Sequence, residues 1–535
     1  MVGDVVVINV HNSLGNQSTS LHFHGLFMNG SSHMDGTSYV SQCAIEPGAR
    51  FTYDFTVQQP GTYWYHSHSK SQYPDGLRGL LIINDPASPY REQYDEEIII
   101  SLSDWYHTQT PDLLKLYGAM RDPSPDANLI NDAADAKVHI QAGKTYLVRI
   151  ANIGAFIGQY FWIENHVMKV VEVDGVYTDP VETKMLFVGT GQRYAFLLTI
   201  EEGLATNVPM ITRMDESSFS MHSGRPESID GKAWLTIDPE LSFPDAQFPK
   251  GLHALNDMSL VPLDHEPLLE AVDQSINLTI DMHTQTDGVS HWLFNTEPYT
   301  TPDNTPSLFA ALAAGSNATS PNTYTHQTQP YILSHNAVIE IIMKNKHMRP
   351  HPVHLHGHNF QVIHRSGKGT IEDTPVGTSP LRRDTVVINN HGTLRIRFRA
   401  DNPGVWLFHC HMEWHSHSGL VATFVEAPLE LQAQMGDKLM IGPNPELACD
   451  APERIYKFNQ DVNSAAEAQQ ASISFLGIPL TILALGASIT LIGAATFYIW
   501  YRSKGLRQRN TSYSLVPIVD EDRIYEQDDG EIDSK

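Results

Sequence analysis

Along most of its length the chain alternates short apolar runs, rich in Val, Ile, Thr and Tyr, with clusters of Gly and Pro. β-Branched and aromatic residues suit a pleated, half-buried surface and Gly and Pro interrupt it, so the pattern predicts an all-β, Greek-key architecture. The opening Met1-Val-Gly-Asp-Val-Val-Val-Ile reads as a strand already inside a domain. A leader and one or two strands are therefore expected upstream, since the first sheet would otherwise keep an unpaired edge. After about residue 428 the pattern changes to a polar, acidic stalk (429–474) and then an apolar run (475–501), followed by Arg502, Lys504, Arg507 and Arg509. That run is long enough to span a bilayer with some tilt, and Pro479 is tolerated in membrane helices. A buried core helix is the competing reading of the same run. The positive flank predicts a cytosolic tail (502–535), with everything before the span outside the cell or in a lumen.

Length and charge narrow the class. The 535 residues are enough for several domains, and a net charge of −26 argues against a nucleic-acid partner while leaving the substrate open. Asn16, Asn29, Asn277 and Asn317 begin N-x-Ser/Thr sequons, consistent with a secreted portion.

Histidine placement carries the chemistry. Chance gives about 1.4 His-x-His pairs (27/535 squared, times 533), and the chain has six. Four matter here: His22/His24 and His66/His68 near the start, His354/His356 and His409/His411 far downstream. On a strand, residues i and i+2 share a face, so each pair offers two imidazoles to one metal centre. His351 and His415 join Cys410 in a His2Cys set, which suits a blue-type copper site. Leu420, ten residues after Cys410, stands where an axial ligand would be sought. Leucine cannot coordinate, so a three-coordinate, comparatively oxidising copper is expected. Structural zinc sites are closed sets of four, usually with several thiolates, and one Cys among so many His argues against them.

These segments, LHFHG at 21–25, YWYHSH at 63–68, HPVHLHGH at 351–358 and HCHMEWH at 409–415, resemble the four copper motifs of the multicopper oxidases. The resemblance implies four copper ions. The type 1 ligands fall on His351, Cys410 and His415. Type 2 falls on His22 and His354, and the type 3 pair on His24, His66, His68, His356, His409 and His411. It also implies that a substrate gives single electrons near His415, and that His409-Cys410-His411 links the blue copper to the cluster where dioxygen becomes water. That reduction consumes protons, so acids near the cluster are expected. Asp35 and Glu413 fall at positions where the family uses carboxylates for proton delivery, the alternative being partners that orient ligand imidazoles. Three cupredoxin-like β-sandwich domains are implied, placed here at 1–86, 87–245 and 246–428, followed by the transmembrane helix. A Cys43–Cys449 disulfide, as in related oxidases, would tie the first to the end of the third; two free cysteines are the alternative.

The electron donor is less legible. YFWIENH at 160–166, RRDT at 382–385, DNPGVWLFHCHMEWH at 401–415 and the anchor resemble fungal iron-transport ferroxidases more than secreted laccases. Those enzymes hold ferrous iron with one Glu and two Asp. Glu164 matches the Glu, but the Asp positions fall on His283 and His347, unless a shift of two brings Asp281 into register. Imidazole supplies no negative charge, so this departure favours a laccase-like oxidase of a phenolic or naphtholic compound, such as a pigment or melanin precursor, with Glu164 accepting the phenol proton. The alternative is a cell-surface ferroxidase passing ferric iron to a permease. A catalytically dead binding protein would lack copper ligands, and none is missing.

Overall fold

In the first strand pairing, period-2 alternation sorts side chains without ambiguity. Phe51, Tyr53 and Phe55 of strand Arg50–Thr56 point into a core cluster while Arg50, Thr52, Asp54 and Thr56 face solvent, and Val5–His11 pairs with it antiparallel from Val5 opposite Thr56 to His11 opposite Arg50. The computed structural model describes residues 1–117, 122–219, 226, 228–286, 288–302, 304–367, 377–435 and 449.

Twenty-seven strands form six sheets among the described residues. The first segment carries that two-stranded sheet and a three-stranded one, Leu21–His24, Gly61–Ser67 and Arg78–Ile83. The middle segment holds a five-stranded and a six-stranded sheet built from strands between Glu96 and Thr236. The last holds a six-stranded sheet centred on Val338–Asn345 and Thr393–Arg399, and a five-stranded one in the order Pro330–Leu333, Val421–Glu426, Gly404–Cys410, His351–Leu355, Thr385–Ile388. Most pairs are antiparallel. Parallel pairs such as Glu96–Trp105 with Thr145–Asn152 and Gln274–Thr284 with Val338–Asn345 arise where the chain crosses over, as Greek-key connectivity requires.

Two registers position the chemistry. In the first segment His22 lies opposite His66, and in the last His354 lies opposite His409 with Val353 opposite Cys410. Strand Gly404–Cys410 is buried at every residue, as an apolar strand inside a sheet must be. A short helix, Glu413–His417, then turns His415 back towards Cys410, and the turn closes through Leu420 N–H to His415 O and Cys410 N–H to Leu420 O, both 3.0 Å. Gly36 permits a second close approach: at φ +84° its missing Cβ would fall 1.6 Å from the Leu21 carbonyl, so only glycine lets the Asp35 turn press on the His22 strand.

Cys43 and Cys449 are disulfide-bonded with Cα atoms 5.4 Å apart. All four sequon asparagines are exposed. No helix of the described residues is long and apolar enough to cross a membrane; the candidate span 475–501 and the tail 502–535 lie outside them, as does most of the stalk.

Candidate metal centre

Eleven side chains from the four motifs converge on two places. At one, Cys410 Sγ lies 3.7 Å from His351 Nδ1 and 3.7 Å from His415 Nδ1, and those nitrogens are 3.1 Å apart. At the other the eight remaining imidazoles gather, with ligand atoms within 4.8 Å of one another in His22/His24/His354, His24/His66/His411 and His68/His356/His409. The first and last segments each supply four of these eight imidazoles.

Neighbouring acceptors set the imidazole tautomers. His22 Nδ1 donates to the Asp35 carbonyl (2.7 Å), His354 Nδ1 to the Asp384 carbonyl (2.9 Å), His66 Nδ1 to Ser67 O (3.0 Å) and His409 Nδ1 to Cys410 O (2.9 Å). His356 Nδ1 donates to Asp35 Oδ2 (2.9 Å) and His24 Nε2 to Asp384 Oδ1 (3.2 Å). Each of these rings therefore presents a proton-free nitrogen inward. His356 Nε2 and His409 Nε2 face each other at 3.1 Å, and the buried Nε2 atoms of His22, His66 and His354 have no hydrogen-bond partner. Opposed lone pairs repel, and a buried acceptor without a donor is costly, so the set fits bound cations. Burial also pushes His24, His66, His68, His354, His356 and His411 below the ordinary histidine range and His409 to about 3, keeping them neutral as ligands must be. It pushes the Cys410 thiol up, so a thiolate there needs a cation beside it. Leu420 is fully buried and offers no donor.

Carboxylates surround the cluster. Asp35, itself buried, approaches His22 Nδ1 through Oδ1 (3.1 Å) and holds His356 through Oδ2, and those two rings stack at 3.9 Å. This is the geometry of an orienting partner. Glu413 lines a cavity of about 500 Å³ with His66, His68, His409, His411 and His417. Desolvation raises its carboxyl to about 7, against the opposing effect of Ser71.

Asp384 begins a buried ladder of charges. Arg193 donates to both its oxygens (2.7 and 2.6 Å), Arg383 Nε donates to Asp174 (2.9 Å) and its Nη1 to Asp257 (2.6 Å), and Arg365 closes on Asp257 at 2.5 Å. None of these side chains is more than 2% exposed. The ladder ties the middle segment, through Asp384, to the rings of His24 and His354.

Beside the Cys410 set, the buried Asp122 places Oδ1 3.2 Å from His415 Nε2, the nitrogen opposite the one facing Cys410, and Asp122 also pairs with Arg349. Burial alone would raise this carboxyl, but His415 and Arg349 outweigh it and bring it to about 2. Trp292 lies 4.1 Å, ring to ring, from His415. His347 packs against Trp292 (4.6 Å) and His351 (5.8 Å), and burial with nearby cations lowers it to about 4. His283 lies exposed, 3.2 Å from Asp281, which also pairs with Lys346 at 2.8 Å. Glu164 Oε2 accepts from Gln247 N–H (3.0 Å) and its carbonyl from His166 (2.7 Å). The carboxylate touching His415 is thus Asp122, which sequence reading did not single out. Asp122-Pro-Ser-Pro has no ligand spacing, and only the fold brings it to the copper motif.

An all-β frame carrying a His2Cys set wired by sequence to an eight-histidine cluster defines a copper-dependent oxidase of the cupredoxin-like kind. Three family models described as multicopper oxidase match residues 1–88, 96–217 and 300–430, and the chain belongs to the multicopper oxidases. It is similar to the iron transport multicopper oxidase fetC of Epichloe festucae, 47% identical over 81% of this chain and 72% of that protein. It is also similar to the iron transport multicopper oxidase FET3 of Saccharomyces cerevisiae, 36% identical over 80% and 70%. Among solved structures it resembles Fet3p, described as a multicopper oxidase that functions in iron import (TM-score 0.79, 36% identity, 84% of this chain and 88% of that one). It also resembles the laccase of Botrytis aclada (0.67, 26%, 81% and 84%). The protein is accordingly a copper-dependent oxidoreductase with dioxygen as acceptor, carrying four copper ions: one type 1, one type 2 and a type 3 pair.

Proposed function

We propose that the chain is a ferroxidase, coupling 4 Fe²⁺ + O₂ + 4 H⁺ to 4 Fe³⁺ + 2 H₂O. The observation that carries this is the Asp122 carboxylate 3.2 Å from His415 Nε2, a hard oxygen ligand touching the ring whose other nitrogen completes the Cys410 set. An iron ion held there is one imidazole away from the electron acceptor. The similarity to iron transport oxidases supports the same reading, and moves the weight from the phenolic substrate favoured by sequence to ferrous iron.

In this reading His351, Cys410 and His415 hold the type 1 ion and His22 with His354 the type 2 ion. His24, His66 and His411 serve one type 3 ion and His68, His356 and His409 the other. Copper supplies one-electron storage and the reduction of dioxygen. Asp35 and Asp384 fix ligand tautomers, and Glu413, protonated near neutrality, delivers protons along the cavity it lines. The apolar run 475–501 anchors the oxidase outside the cytosol, where a permease in the same membrane takes the ferric product.

A phenol oxidase is the second reading, favoured by one observation: neutral His347 and the Trp292 ring pack against the type 1 histidines. Steady-state kinetics of the purified holoenzyme with ferrous ion and with a dihydroxynaphthalene decide between them. A ferroxidase gives the lower KM and higher kcat/KM for iron, and Asp122→Asn raises the iron KM at least tenfold. Faster turnover of the phenol, with iron kinetics indifferent to Asp122→Asn, overturns the proposal.

A further inference from the structure

The segment joining strand Val338–Asn345 to strand His351–Leu355 carries two cations that pair with Asp122, which touches His415, and with Asp281, whose strand neighbour Met282 pairs with Trp292 beside His415. Lys346 Nζ is 2.8 Å from Asp281, and the Arg349 guanidinium pairs with Asp122. The segment is held in shape from inside. The fully buried Asn345 side chain donates to the Arg349 carbonyl (2.7 Å) and the Asn389 carbonyl (2.9 Å), and its Oδ1 accepts from His347 N–H (2.9 Å). His391 N–H closes on the His347 carbonyl (2.9 Å) and Lys346 N–H on the Ile280 carbonyl (3.2 Å). These bonds fix the backbone from which Lys346 and Arg349 extend.

We propose that Lys346 and Arg349 are specificity-determining residues, built-in cations that compete with a cationic electron donor for Asp122 and Asp281 and so set the enzyme's preference by donor charge. The inference rests on the substrate edge lying at Asp122 and His415, the site of the proposed ferroxidase reaction, but not on iron being the physiological donor. A cation already paired with a site carboxylate adds a cost that falls on a cationic donor and not on a neutral one. Here a divalent ion reaching Asp122 must displace or sit beside a guanidinium, whereas a neutral phenol meets only a hydrogen-bond donor. The two residues differ in weight. The Arg349 side chain is 13% exposed, so its charge is poorly screened, while that of Lys346 is 52% exposed and its pair with Asp281 contributes little.

The test measures kcat/KM of the purified holoenzyme for four one-electron donors: ferrous ion, a cationic ferrocene, ferrocyanide and an uncharged hydroquinone. Copper content and the type 1 visible band are recorded for every variant, so that a damaged centre is recognised. Arg349→Gln is expected to lower the KM for ferrous ion and to raise the cationic-to-anionic ratio of kcat/KM by roughly tenfold, Lys346→Gln by about twofold. Arg349→Lys, which keeps the charge, should stay near the native ratio. If Arg349→Gln retains its copper and type 1 band yet leaves the ratio unchanged, or if Arg349→Lys shifts it as far as Arg349→Gln does, the inference fails. If native enzyme prefers the hydroquinone to ferrous ion but Arg349→Gln still shifts the ratio, the ferroxidase reading fails and this one stands.

Discussion

Arg383 offers the sharpest test of how the middle segment is tied to the cluster. Its guanidinium donates to Asp174 through Nε (2.9 Å) and Nη2 (3.2 Å) and to Asp257 through Nη1 (2.6 Å), all buried. With Arg193 and Arg365 it balances Asp174, Asp257 and Asp384, three cations against three anions. Arg383→Met keeps most of the volume but leaves one uncompensated negative charge in the interior. Removing one partner of a buried pair costs about 3–5 kcal/mol, a large share of a stability on the order of 5–15 kcal/mol. For a cooperative unit of roughly 150–250 residues this corresponds to a melting point lower by roughly 6–20 °C. Thermal inactivation, read together with copper loss, is the assay. The pH dependence has a definite sign. Burial alone would raise the Asp257 carboxyl, but Arg365 and Arg383 hold it below its ordinary value. Such a depressed carboxyl contributes stability above its unfolded pKa and loses it as pH falls through the folded one. In the variant, with one cation fewer, protonation of a ladder carboxyl relieves the excess charge, so the deficit against wild type should shrink as pH falls from about 7 to about 5. Arg383→Lys, charged but without the planar fork, should lose less than Arg383→Met. A Met variant melting within about 2 °C of wild type, or a deficit that grows on acidification, refutes the reasoning.

Three further expectations follow from single side chains. Glu413→Gln should lower kcat by about 10²-fold with full copper content, and should flatten a profile in which wild-type kcat declines above pH 7 as a carboxyl raised to about 7 loses its proton; stopped-flow kinetics across pH checks both. Leu420→Met places a weak thioether donor beside Cys410 and should lower the type 1 potential, read by redox titration of the visible band; an unchanged potential would mean the side chain at this position does not face the metal. Cys43→Ser removes a cross-link between residues 406 apart in sequence and should cost about 2–5 kcal/mol, seen as earlier urea inactivation that reductant reproduces in the wild type.

Much of the centre was legible in one dimension because ligand pairs on a strand must be two residues apart and Cys410 must lie between His409 and His411. Strand pattern and His-x-His spacing are local constraints, written wherever the backbone repeats every two residues. The all-β class and eight of the eleven candidate ligands needed nothing more, and His351, Cys410 and His415 were legible as a His2Cys set. The partners of those ligands were a different matter. Asp122 meets His415 across 293 positions of sequence, Asp384 meets His24 across 360, and Arg193 joins Asp384 across 191. None sits at a spacing that any secondary structure repeats, and a carboxylate in a loop looks the same whether it faces water or a copper ligand. Glu164 lies beside a family-like motif and is the natural choice from sequence, and its carboxylate accepts a bond from Gln247 N–H. The sequence by itself thus determined which residues are candidate metal ligands, because coordination demands particular atoms at a fixed local repeat. Only the tertiary structure decided which carboxylates and cations surround them, because burial and long-range pairing depend on how the sheets pack.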